Sequence, residues 1–190
     1  MSTWIMLPGI GGSDERHWQS RWEAADPRLR RIRPSSWDRP RLCDWLEALD
    51  DAIDAASEPP LLVAHSLSCL LVAHWGTQRA KRATSIRGAV LVAVPDPDGD
   101  RFPIEARSFA DVPQAPLPFP ALVITSADDP YGTSEYADRC AMRWDAGFVT
   151  VGEHGHLNSD SRLEDWPLGR MLVDAFEAGT RGARGAPPVG

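Results

Sequence analysis

Apolar residues in this chain come in short unbroken runs, not in alternation with polar ones. Residues 3–7 form the first run, stopped by Pro8-Gly9, and residues 30–33 form a weak second. Residues 61–64 follow, entered through Glu58-Pro59-Pro60, then 88–94 ("GAVLVAV"), ended by Pro95. Residues 121–125 ("ALVIT"), entered through Pro120, and residues 148–151 complete the set. Runs that are apolar throughout are strands covered on both faces, the condition inside a parallel sheet. The stretches between them carry helical spacing. Residues 39–56 place Leu42, Trp45, Leu46, Leu49 and Ile53 on one face, and residues 14–25 set Trp18 four before Trp22. Residues 68–79, 133–145 and 168–178 supply three more helices, the last with Met171, Leu172 and Ala175 on one face. Strands alternating with helices over short connections predict a three-layer α/β/α sandwich around a parallel sheet. Right-handed crossovers then put helices on both faces.

Two segments fall outside this plan. Residues 95–120 hold seven prolines and little periodicity, and they are expected to form an irregular connection over the C-terminal edge of the sheet. Residues 179–190 ("GTRGARGAPPVG") lack apolar periodicity and are expected to be a mobile tail, which leaves 1–178 as a single domain. No internal repeat or second domain is evident. Apolar residues at 43% and charged residues at 25% are ordinary for a soluble domain. The net charge of −7 argues against a nucleic-acid binder, which needs a basic surface to neutralise phosphates. No basic stretch precedes an apolar one at the N-terminus, and the apolar runs fall far short of the ~20 residues a membrane span needs. Cys43, Cys69 and Cys140 are too widely spaced for a metal or disulfide framework, which fits a reducing cytoplasm. Cys69 reads as a small buried hydrophobe.

One apolar run is interrupted in a way that points to chemistry. "LLVAHSLSCLL" (61–71) sets His65-Ser66 at the end of a strand, with small residues, Ala64 and Ser68, two positions to either side. Either the run is one buried helix, or the chain turns sharply and presents Ser66, as in a nucleophile elbow, whose usual pattern is Gly-x-Ser-x-Gly. A serine hydroxyl is a poor nucleophile until a base takes its proton. The base is expected to be a histidine oriented by a carboxylate, in the chain order serine, acid, histidine. Both slots are filled after late strands, by "TSADDPYG" (125–132) and "GEHGHLNS" (152–159). Asp129 is favoured over Asp128, which is expected to cap the following turn, because Pro130 stiffens the chain beyond it. His156 is favoured over His154 because Gly155 gives freedom just before it. His154, His156 and Asp160 lack metal-site spacing, and no metal or other cofactor is expected. His65 is expected to be an orienting or structural residue, and His17 and His74 ordinary helix residues. Oxyanion donors are expected from the backbone N–H of Leu67 and of Ile10 in "LPGIGGSDERHW" (7–18), with Gly11 as the fallback. That loop has neither a phosphate-loop nor a dinucleotide signature.

Taken together, "LPGIGGSDERHWQSRWE" (7–23), "LLVAHSLSC" (61–69), "AVPDPD" (93–98), "LPFPALVITSADDPY" (117–131), "ADRCAMRWDAGFVTVGEHGHLN" (137–158) and "WPLG" (166–169) resemble the small serine hydrolases of the retinoblastoma-binding protein nine family, the YdeN-like α/β-hydrolases. The resemblance implies a lidless hydrolase with a six-stranded parallel sheet in order 2-1-3-4-5-6 and a triad of Ser66, Asp129 and His156. Two departures stand out. The glycine usual after the elbow is Ser68, which is expected to strain or shift the turn. A Gly-rich stretch after the base loop is replaced by residues 161–165. The function expected is hydrolysis of a small ester, thioester or amide through an acyl-enzyme. The rival is a hydrolase scaffold kept to bind a protein partner. Trp18, Trp37, Phe102, Phe109 and Tyr131 are candidate pocket residues.

Overall fold

Alternate residues of a strand point to opposite faces of its sheet, and here both sets are apolar. The computed structural model, which describes residues 3–185, places these strands at the centre of the molecule. They are β1 (Trp4–Leu7), β2 (Leu29–Arg31), β3 (Leu61–His65), β4 (Gly88–Val92), β5 (Ala121–Thr125) and β6 (Gly147–Thr150), and each pairs in parallel with its neighbours in the order β2-β1-β3-β4-β5-β6. The helices are α1 (Trp18–Ala25), α2 (Leu42–Asp54), α3 (Leu67–Gln78), α4 (Ser134–Trp144) and α5 (Pro167–Gly185). Ile5, Leu7, Leu62, Ala64, Leu91 and Val123 face a core shared with α2, α3 and α4. Trp4, Met6, Leu61, Val63, Val90, Val92 and Ile124 face a second core, closed by Trp18 and Trp22 of α1 and Val173 of α5. The three-layer reading therefore holds, with the order 2-1-3-4-5-6. At the margins, β2 and β6 are only half covered, as edge strands are.

The stretch 61–71 is strand and helix with a one-residue turn between them. α3 is buried from Leu67 to Gly76, so it shows no polar face by which its start can be read. The connection between β4 and β5 is tied down rather than loosely draped. Its 3-10 turn (Ile104–Phe109) buries Ala106 and Phe109, with Phe109 set edge-on to Trp45. His74 Nε2–H, inside α3, donates to the Phe109 carbonyl at 3.1 Å, and Trp144 Nε1–H donates to that of Pro113 at 2.9 Å.

The last helix corrects one expectation. It does not end at 178 but runs to Gly185. Its buried stripe continues from Val173 through Glu177 and Thr180, a step of four and then three, and Thr180 Oγ1 donates back to the Glu177 carbonyl at 2.9 Å. Two of those three positions are polar, so a search for apolar periodicity passes over them. Residues 186–190, also expected to be tail, lie outside the described residues. Among the described residues no helix is long and apolar enough to cross a membrane.

Candidate active site

Ser66 is the only residue between β3 and α3, and it takes φ 55°, ψ −126°. A non-glycine residue held there costs about 1–3 kcal/mol, so its surroundings must enforce it. Three contacts do so. The Ser66 N–H donates to the Val92 carbonyl of β4 at 2.9 Å, and the Ser66 carbonyl accepts from Cys69 N–H at 2.8 Å. Gly9 packs directly over the serine: a Cβ built on it would lie 2.9 Å from Ser66 Cβ and 3.3 Å from Oγ.

The loops after β5 and β6 bring Asp129 and His156 to this point. His156 Nε2 lies 2.8 Å from Ser66 Oγ, and His156 Nδ1 lies 2.9 Å from both carboxylate oxygens of Asp129. A carboxylate accepts only, so Nδ1 carries the proton and Nε2 offers a lone pair to the serine O–H. Asp129 is 5% exposed and also accepts the Tyr131 N–H at 2.9 Å, which fixes the carboxylate on the far side of Pro130. Both ring nitrogens of His156 are thereby engaged, which removes it from the alternative metal grouping with His154 and Asp160.

Asp128 does not cap the turn that follows it. Its Oδ1 accepts the Gly155 N–H at 2.8 Å and the Ser126 hydroxyl at 2.7 Å, so it pins the base loop. These donors, the Ser126 hydroxyl first, lower its pKa. Ser126 Oγ in turn accepts the His154 N–H at 2.7 Å, and His154 itself is exposed. Two consecutive carbonyls of the same loop are held by ring N–H groups. His65 Nε2–H donates to His156 O at 2.9 Å, and Trp18 Nε1–H donates to Leu157 O at 2.8 Å. His65 thus has the orienting place expected of it.

His17 is more than a helix residue. It stands at the N-cap of α1, where Nδ1 accepts the Gln19 N–H at 3.1 Å, which leaves the proton on Nε2. It is buried against His65, with ring centroids 4.7 Å apart, and Nε2 has no hydrogen-bond partner among the described residues. Burial is the main cause that takes its pKa down to about 4, and it takes that of His65 well below the usual histidine value. Little in the sequence signals this, because the helix is expected from residue 14 and histidine is not among the usual N-cap residues.

In the loop after β1, the Gly11 N–H donates to the Trp37 carbonyl at 3.3 Å and that of Gly12 to the Gly9 carbonyl at 3.1 Å. Gly11 is therefore spent as a donor. Neither Ile10 N–H nor Leu67 N–H carries a hydrogen bond among the described residues. An open cleft of about 590 Å³ lies over Ser66 and His156, a size suited to a small ligand. Phe102 and Tyr131 line it as expected, whereas Trp18, Trp37 and Phe109 do not. Arg16, Arg101, Asp14 and Asp160 also line it, so its wall carries charges of both signs.

This arrangement has counterparts. Residues 4–175 match the sequence profile of the serine hydrolases. The chain belongs to the serine hydrolase family. A YdeN-like hydrolase from Pectobacterium atrosepticum is 32% identical, superposes with a TM-score of 0.83, and is matched over 95% of this chain and 92% of its own. The ydeN gene product of B. subtilis, 20% identical, shares the fold with a TM-score of 0.72 over 94% of this chain and all of its own. The esterase domain of a Rhodothermus marinus protein, 15% identical, does so at 0.67 over 93% of this chain and 87% of its own. No curated protein matches the chain. These findings make it a YdeN-like serine hydrolase with the α/β-hydrolase fold. The likeness to retinoblastoma-binding protein nine rests on the sequence motifs alone.

Proposed function

We propose that this serine hydrolase cleaves a small carboxylic ester, thioester or amide through an acyl-enzyme at Ser66. One observation carries the reading: the His156 imidazole bridges the Ser66 hydroxyl and the Asp129 carboxylate at hydrogen-bond distance on both sides. As Ser66 Oγ attacks the acyl carbonyl, its proton passes to His156 Nε2, and the imidazolium that forms faces Asp129. Negative charge gathers on the carbonyl oxygen and is met by the N–H groups of Ile10 and Leu67. The tetrahedral intermediate collapses, the acyl–leaving-group bond breaks, and His156 Nε2–H protonates the departing group. A water then gives its proton to Nε2 and attacks the acyl-serine. The second intermediate expels Ser66 Oγ, which recovers the proton, and the acid leaves. The cleft admits a small substrate, and the esterases and a type II thioesterase that share the fold support an ester or thioester. A scaffold that only bound a partner has no use for an imidazole held between a serine hydroxyl and a carboxylate.

A fluorophosphonate tests this directly. Ser66 Oγ displaces fluoride at phosphorus only where a base takes its proton. Intact-mass spectrometry is expected to find one adduct on the wild type and none on Ser66→Ala. A folded wild type that takes no adduct, or ester turnover unchanged in Ser66→Ala, refutes the assignment.

A further inference from the structure

The position two after the nucleophile is usually glycine, because backbones crowd there. This chain has Ser68, and the hydroxyl is employed. Ser68 is fully buried, and its Oγ donates to the carbonyl of Pro8 at 2.6 Å. That carbonyl belongs to the loop that carries Ile10, and the rest of the loop is held as well. Gln19 Nε2, also fully buried, donates to Val63 O at 3.1 Å and reaches Leu7 O at 3.4 Å. The Gly9 carbonyl accepts from Gly12, and the Gly11 N–H donates to Trp37. Carbonyls 7, 8 and 9 and amides 11 and 12 are therefore all tied, while the amide of residue 10 has no partner among the described residues. Ser68 lies in the first turn of the helix that starts after Ser66, and it bonds the residue two before Ile10. It spans the gap between the nucleophile and the second oxyanion donor.

We propose that Ser68 is a positioning residue that sets the oxyanion loop against the nucleophile; the inference rests on the assignment of Ser66 and Ile10 made above. Charge appears on the substrate oxygen only as the tetrahedral species forms, so a donor helps most when it is already in place. A loosened donor then lowers kcat and leaves ground-state binding alone. The expected strain from a serine at this position is thus exchanged for a tether that glycine does not provide.

The test uses the full chain with Ser68→Ala and Ser68→Gly, p-nitrophenyl acetate as substrate, and phenylboronic acid as an analogue of the tetrahedral intermediate. Boron accepts Ser66 Oγ, the proton goes to His156, and a boronate oxygen occupies the oxyanion position. Both variants are expected to lose about 10-fold in kcat, less than the loss of a whole donor, with KM unchanged. Boronate affinity is expected to fall by the same factor. A purely structural role would lower the melting temperature and leave kcat and boronate affinity of the folded protein where they were. That result, or a loss confined to KM, overturns the proposal. Should Ser68→Ala not fold, Ser68→Gly, the residue usual at this position, carries the same test. An active, fluorophosphonate-labelled wild type whose variants match it refutes the role of Ser68 alone, whereas a wild type that neither labels nor turns over removes the hydrolase reading and this one with it.

Discussion

The buried His17 makes acid stability a sharp test of the structure. Its ring is 3% exposed and its pKa is taken from 6.5 down to about 4, first by burial, with the Arg31 guanidinium reinforcing and the Asp14 carboxylate opposing. The unfolded chain binds a proton at this residue below about pH 6.5, while the folded chain resists until about pH 4. Stability is therefore unaffected near neutrality and falls as pH drops through that window. Over the whole window the loss from this residue alone comes to about 3 kcal/mol, a large share of a typical domain's stability. His65, pushed in the same direction, adds to the slope. Asp26 enters lower: its carboxyl, held far down by Arg28 and Arg170, withdraws stability only as pH falls through and below the usual 3.8. The assay is urea unfolding followed by tryptophan fluorescence at a series of pH values, on wild type and His17→Asn. Asparagine also caps helices but does not titrate, so lost ring packing offsets the whole curve and leaves its slope to report the proton. The wild-type curve is expected to fall about 3 kcal/mol further than the variant's between about pH 7.5 and about pH 4. Parallel curves would refute the burial of a neutral His17.

Two further substitutions probe the site. Gly9→Ala places a methyl 2.9 Å from Ser66 Cβ, so the serine or the loop must shift by several tenths of an ångström. A misplacement approaching 1 Å at a reacting atom costs about 100-fold, and kcat/KM for an ester is expected to fall on that scale while the protein stays folded; an unchanged rate would show that Gly9 does not set the serine. Asp129→Asn presents an amide where Nδ1 now meets a carboxylate, which favours the wrong tautomer at Nε2. A loss of about 10⁴-fold in kcat is expected, with fluorophosphonate labelling slowed in step, and labelling at the wild-type rate would remove Asp129 from its role.

The parts of the fold that were legible in the sequence are those where one physical cause dominates. Strands buried on both faces must be apolar throughout, so β1, β3, β4 and β5 announced themselves, and prolines marked several of their ends. The meeting of Ser66, Asp129 and His156 could be expected because each follows a strand at the same edge of the sheet. The ends of elements were less legible where side-chain hydrogen bonds decide them. α1 begins at Trp18 rather than at 14 because His17 caps it, and α5 continues to Gly185 through two buried polar residues. Pro130 was enough to favour Asp129 over Asp128 as the partner of His156, but the task of Asp128 lay beyond pattern. Both serve the same loop, Asp129 through the side chain of His156 and Asp128 through the backbone of Gly155.

The same limit applies to α1, where spacing found the helix but not its task. Trp18 and Trp22, four apart, do enter the core, yet their indole N–H groups also hold the backbone of a distant segment, Leu157 O at 2.8 Å and Asp165 O at 2.6 Å. Asp14 accepts the Ser159 hydroxyl at 2.6 Å, and Gln19 between the tryptophans binds the backbone of β3 and reaches that of β1. A hydrophobic pattern counts an indole as apolar area and is blind to its donor. Once those donors are counted, α1 holds the loop that carries His156 on one side and the loop that carries Ile10 on the other. His156 and Ile10, the proposed proton acceptor and oxyanion donor, are thus both tied to one eight-residue helix, not to the sheet alone.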